Sequence, residues 1–289
     1  MKTIYTLYIQ NTMKNIVFVC LRNFQPYLID AIYQSQKFNI PIYVLTECVF
    51  FEHFKIFNNE ITLINVNELD ESYCFYDRTQ LDKDFREGFW CCASLRFFYI
   101  YAFMKKYHVE NVIHLENDVL IYHSPNNINF DNNYMYIPFD TFSRNIASIL
   151  YIPNHVIFKH ILDEYDFSKN DMENFSIIKN KIGYIRPLPI FPTCNRTLEH
   201  EFITSTYHEC NGYIFDAAAM GQYLGGVDPQ NSSIDSVGFV NETCIIKYNE
   251  YVFEWDESDG IRRPYLLVNN EKIPIFNLHI HSKNLTKFI

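Results

Sequence analysis

The chain has 289 residues, 48% of them hydrophobic and 17% aromatic, which is enough to fill a large core and excludes a disordered chain. Its formal net charge is −10 and it carries no block of Lys or Arg, so a nucleic-acid-binding role is disfavoured. An anionic ligand would need local positive charge or a metal ion here.

The β-branched burst "KNIVFVCLRN" predicts a buried strand ending near Leu21. In "PYLIDAIYQSQKFN" the residues Leu28, Ile32 and Ser35 recur at helical spacing, with Pro26 where a helix would start. "IPIYVLTE" and "EITLINVNEL" read as a second and a third strand, and strand, helix, strand with short links is a βαβ unit that implies a parallel sheet. Trp90, Ala93, Phe97, Ile100, Tyr101 and Met104 then form a helical stripe, closed by Lys105 and Lys106 at the end where cations suit the dipole. "NVIHLENDVLIY" follows as a strand interrupted by Glu116, Asn117 and Asp118.

Beyond it, "NYMYIPFD" and "SILYIPN" predict strands, "NHVIFKHILDEYDF" and "DMENFSIIKNK" predict helices, and "IRPLPIFP" is extended. "YIFDAAAMGQYLGG" predicts a helix of small residues beginning at Asp216 and closed by a Gly pair. The last segment, "IPIFNLHIHSKNLTKF", is strand-like at first. No repeat or low-complexity linker divides the chain, so a single domain over residues 1–289 is expected.

The eight cysteines lack CxxC spacing and suit reduced thiols acting as small apolar residues. The run Ile16 to Leu21 is too short for a signal peptide, and no stretch reaches the roughly 18 to 20 apolar residues of a membrane span. A cytoplasmic protein is expected, and richness in Asn, Ile, Lys and Tyr suits an AT-rich virus or microbe.

The interrupted strand is the informative feature. Polar groups in a run that should be buried cost several kcal/mol unless paired. In an open α/β sheet, ligands bind beyond the carboxyl ends of the strands. In extended backbone Glu116 and Asp118 project to one side and repel each other unless a cation sits between them. Such oxygen ligands suit Mg²⁺ or Mn²⁺, while a polar turn whose acids face water is the other reading.

A βαβ start, an aromatic helix containing an Arg, and a strand ending in acid-x-acid resemble the GT-A fold of nucleotide-sugar-dependent glycosyltransferases, whose DxD motif "ENDV" matches with Glu in first place. The resemblance implies a central, mostly parallel, Rossmann-like sheet flanked by helices. It implies a nucleotide-binding half over about 13–125 and an acceptor-side half over about 126–289. It makes Asp118 the firmest metal ligand and puts Glu116 on the ribose or the metal. "NDMENFSIIKNKIGYIRPLPIFP" is similar to the DQ-type segment of glycogenin-like members, which places Asp171 toward the donor sugar, with Met172 where Gln is usual. "NLHIHSKNL" resembles their C-terminal His-x-x-Gly-x-x-Lys segment, where the His completes the metal site and the Lys meets the diphosphate.

The residues add their own support. His279 and His281 are two apart in a strand-like stretch, and imidazole suits Mn²⁺, although two exposed histidines on a half-buried strand would look the same. Lys283 puts a cation beside them, and the tail reads as a lid that orders over a bound nucleotide, with His279 favoured over His281 as ligand. Arg96, in an apolar helix, must be paired, either with a nucleotide phosphate or with a core Asp. Asp216 is either a helix N-cap or, with Asp171, a candidate for gripping the sugar or deprotonating the acceptor. The expected activity is Mn²⁺- or Mg²⁺-dependent transfer from a nucleotide sugar, most simply a UDP-sugar, to a glycan, protein or small-molecule acceptor. A metallohydrolase using the His-x-His pair and a silent nucleotide-sugar-binding protein are the alternatives.

Overall fold

A computed structural model describes residues 13–194, 196–232 and 236–289. The chain runs through β1 (Asn15–Cys20), α1 (Leu28–Gln36), β2 (Ile42–Thr46), β3 (Thr62–Asn65), α2 (Phe75–Arg78), α3 (Phe89–Tyr107), β4 (Val112–Leu115) and β5 (Val119–Ile121). It continues with β6 (Met135–Thr141), β7 (Arg144–Asn145), β8 (Ile149–Ile152), α4 (His155–Leu162), α5 (Asp171–Ile182), β9 (Ile185–Leu188), α6 (Leu198–Thr204) and α7 (Met220–Gly225). β10 (Val252–Asp256), β11 (Arg263–Val268), β12 (Glu271–Pro274) and β13 (Asn277–His279) complete it. Among the described residues, no helix is long and apolar enough to cross a membrane.

The central sheet has the order β3-β2-β1-β4-β8-β6-β7, with β9 paired to β6. β1 to β4 are mutually parallel, as the βαβ reading requires, and β9 runs parallel to β6. β8 is antiparallel to both β4 and β6. Helices flank this sheet, so the α/β class with a central, mostly parallel sheet holds. β4 lies where the strand order reverses between β1 and β8. The crevice beyond its carboxyl end is therefore the topological place for a ligand site.

All four β4 residues, Val112 to Leu115, are buried. A strand covered on both faces loses its alternation. His114 meets the requirement by placing Nδ1 2.9 Å from the Val17 carbonyl, and burial, reinforced by Arg96, pushes its pKa well down. It is a neutral core residue. α3 is likewise buried over most of its circumference from Ser94 to Met104, whereas Trp90 and Ala93, assigned to its apolar stripe, are partly exposed. This helix sits inside the molecule, so a one-sided stripe is not needed.

Two expectations change. "NVIHLENDVLIY" is two strands in different sheets, because β5 leaves the central sheet to pair antiparallel with β13. The helix expected from Asp216 begins only at Met220, since Ala218 adopts a left-handed φ of 54° that a helix cannot contain. The C-terminal third contributes a three-stranded antiparallel meander, β10-β11-β12.

Phe97 is fully buried on α3, with its ring 4.8 Å from that of Phe175 on α5 in an edge-to-face contact. Phe97→Ala should cost about 3–5 kcal/mol of unfolding free energy. Urea titration should show a lower midpoint with an unchanged slope.

Candidate metal and ligand site

The break after β4 is a tight turn rather than continued extended chain: Val119 N donates to the Glu116 carbonyl at 3.1 Å. Glu116 N is held by the Ser148 carbonyl at 2.8 Å, and Asn117 Nδ2 donates to the Val19 carbonyl of β1 at 3.0 Å. The middle polar residue thus ties the turn to the neighbouring strand end. The two carboxylates converge because the chain folds back between them, not because of strand alternation. β13 then runs beside β5, and Ile280 N donates to the Asp118 carbonyl at 2.9 Å, which brings the C-terminal segment against the turn.

There Glu116, Asp118 and His279 form a cluster whose ligating atoms all lie within 4.8 Å of one another. His279 Nε2 is 3.1 Å from Glu116 Oε2 and 3.2 Å from Asp118 Oδ1. Adjacent ligands of an octahedral ion bound at about 2.0–2.1 Å stand about 3.0 Å apart, so these spacings fit a small divalent cation. The two carboxylates suit Mn²⁺ or Mg²⁺ by donor type, and the imidazole favours the transition metal Mn²⁺.

Lys283 pairs with Asp118 and reaches Asp228 Oδ2 at 3.6 Å. Burial raises the Asp118 carboxyl, but His279 and Lys283 outweigh it and hold it well below its ordinary range. Burial lowers the His279 imidazole, and Asp118 more than reverses this, so its pKa is raised. His281 stands beside the cluster and outside it: its ring is 4.0 Å from that of His279, and burial followed by His279 pushes its pKa well down.

Arg96 does not reach out toward a phosphate. Its buried guanidinium pairs with Glu116 and, through Nη2, contacts Asp171 Oδ2 at 3.1 Å and the Ala147 carbonyl at 3.1 Å. The internal ion pair is the reading that the packing satisfies. Asp171 opens α5 and is pinned by Asn145 of β7, whose Nδ2 donates to the Asp171 carbonyl at 3.1 Å. Burial, opposed by Arg96, raises its carboxyl to about 6. Among the described residues its Oδ1 is buried without a hydrogen-bond partner.

Asp216 is fully buried, and its two oxygens accept four backbone N–H groups, from Ala219, Met220, Gly221 and His279. A carboxylate so committed has no lone pair turned to a sugar or an acceptor proton, so the catalytic expectation does not fit it. Sequence reasoning missed Asn117, Asp228 and Gly221. The first lay inside the quoted motif. The third, with Gly225, forms a small pair at i, i+4, a signal of close helix packing. Nothing in the sequence links Asp228 to Lys283.

No family model matches the chain, and no curated protein matches it. Among solved structures it is similar to the galactosyltransferase LgtC in complex with donor and acceptor sugar analogs, at 15% identity and a TM-score of 0.40 over 61% of this chain and 73% of that one. It is similar to the glycosyltransferase GlyE of Streptococcus pneumoniae TIGR4, at 16% identity and a TM-score of 0.40, over 61% of this chain but 45% of that one. An inositol-1-phosphate CTP transferase from T. maritima matches at 7% identity and a TM-score of 0.38, over 61% and 85% of the two chains.

Removing Arg96 leaves the buried Asp171 without its cation and Glu116 with His279 as its remaining partner. Arg96→Met should therefore destabilise the fold by about 3–5 kcal/mol. Adding Asp171→Asn to it should recover part of that loss, as measured by chemical unfolding of the single and double variants.

Proposed function

We propose that this chain is a metal-dependent glycosyltransferase of GT-A-like fold that moves a sugar from a nucleotide diphosphate sugar, a UDP-sugar in the simplest case, to an acceptor hydroxyl. The observation that carries the reading is the convergence of Glu116, Asp118 and His279 at the carboxyl end of β4, with Lys283 on its rim. Charge supports it as well. Among the described residues, the carboxylates of Glu116, Asp118, Asp171 and Asp228 are paired with two permanent cations, Arg96 and Lys283. That excess of negative charge would repel a diphosphate and would welcome a divalent cation.

Asp118 and His279 would hold the ion, Mn²⁺ or Mg²⁺, with Glu116 completing the set. Bound there, it would supply the positive charge that stabilises a departing nucleoside diphosphate. Lys283 would leave its carboxylates to meet a phosphate oxygen. Arg96 orients Glu116 and Asp171 from behind rather than touching the ligand. Asp171 is the remaining candidate for gripping the donor sugar, because its unpartnered Oδ1 can accept from a hydroxyl. The nucleotide sugar and the acceptor are the partners this reading requires.

Thermal shifts with UDP, GDP and CMP, each with and without Mn²⁺, test it: a nucleoside diphosphate should stabilise the protein only when the metal is present. Asp118→Asn should abolish that stabilisation while keeping the unliganded melting temperature near wild type, and Glu116→Gln should be milder. Wild-type metal-dependent binding in Asp118→Asn would remove the proposed site.

The two histidines should separate in the same assay. His279→Ala is expected to lose Mn²⁺-dependent nucleotide binding, and His281→Ala to retain most of it. Equal losses would mean that His281 also ligates.

A further inference from the structure

We propose that Asp216 is a positioning residue: together with the glycine face of α7 it fixes His279 where that side chain meets Glu116 and Asp118. The inference rests on the metal-site reading above for its purpose, though not for its geometry.

Among the described residues, β13 has a strand partner on one edge only, β5. Its pairing with β5 matches His279 to Val119, and the next N–H, that of Ile280, donates to Asp118. The N–H of His279 points the other way, to Asp216 Oδ2 at 2.9 Å. The same oxygen accepts from Gly221 at 2.8 Å, while Oδ1 accepts from Ala219 at 2.8 Å and Met220 at 2.9 Å. One carboxylate therefore joins the first turn of α7 to the outer edge of β13. The left-handed Ala218 turns these successive amides onto it. Asn277 closes the arrangement by accepting from Asp216 N at 3.3 Å.

α7 has only six residues, too few to hold a helix without tertiary support. Its glycines give that support a surface. A Cβ at Gly221 would overlap the His279 carbonyl and come within 2.9 Å of Asp216 Oδ2. A Cβ at Gly225, one turn on along the same face, would meet the Phe288 ring at 3.1 Å and Ser282 Oγ at 3.3 Å. The backbone carrying His279 thus lies directly on the helix. Gly221 meets rigid backbone, whereas Gly225 meets side chains that can give way.

The test uses the full chain, with two readouts: Mn²⁺ affinity from the electron paramagnetic resonance signal of the free ion, and hydrogen exchange at the His279 amide, which needs no metal. Asp216→Asn leaves two N–H groups facing an amide donor. It should speed His279 exchange and weaken Mn²⁺ binding by about 10- to 100-fold, the range seen when residues behind a metal ligand are removed. Gly221→Ala, the second variant should Asp216→Asn fail to fold, should do the same, and Gly225→Ala should do less. Phe158→Leu, a core change on α4, should lower the melting temperature without altering Mn²⁺ affinity. Wild-type exchange at His279 in Asp216→Asn or Gly221→Ala overturns the inference. If the unsubstituted protein binds no Mn²⁺, the metal reading falls instead, and the exchange rates alone decide whether Asp216 positions His279.

Discussion

The buried guanidinium of Arg96 is the constraint around which the site is arranged. A cation inside a helix as apolar as α3 is tolerated only when paired, and its partners come from separate places in the chain. Glu116 arrives on the turn after β4, Asp171 on the first residue of α5, and the Ala147 carbonyl from the approach to β8. Satisfying one charge therefore fixes the relative placement of three segments. It also fixes which oxygen of Glu116 is left over: one is taken by Arg96, and the other turns to His279. The geometry of the Glu116, Asp118 and His279 cluster is in this sense set from behind.

How much of this the sequence reveals follows from the physics of each signal. β1, β2, β6 and β8 are announced by β-branched and aromatic runs because strands buried on both faces need such residues throughout. The acidic break is legible because polar groups in an apolar run demand a reason. The turn that brings the acids together is not, since its anchors, Val19 and Ser148, are remote in sequence. Arg96 could be read only as needing a partner, because composition does not say which acid folds nearest. Asp216 shows the same limit: an acid before a small-residue helix suggests a cap, but its bond to His279 exists only once β13 has docked. The departure of β5 to pair with β13 is a tertiary choice that a continuous apolar stretch cannot encode.

The C-terminal segment, expected to act as a lid, is tied to the fold by backbone and side-chain hydrogen bonds. Its strand is paired with β5, its backbone caps Asp118, and the Tyr122 hydroxyl donates to the Phe288 carbonyl at 3.1 Å. His279 is thus fixed by backbone hydrogen bonds on both edges of β13, while the Lys283 side chain is held by the Asp118 and Asp228 carboxylates beside the Tyr27 ring.

The pairing of Lys283 with Asp118 joins residues 165 positions apart in sequence. Contacts so distant form late, because the loop between them must close before they can reward it. During synthesis the helices and strands up to β9 can gather around the core while the acidic turn still faces water. The cluster exists only after β13 has emerged and docked. A nascent or truncated chain would accordingly form most of its sheet before the Glu116, Asp118 and His279 cluster, so on the metal reading proposed above any affinity for an ion would arise among the last events of folding.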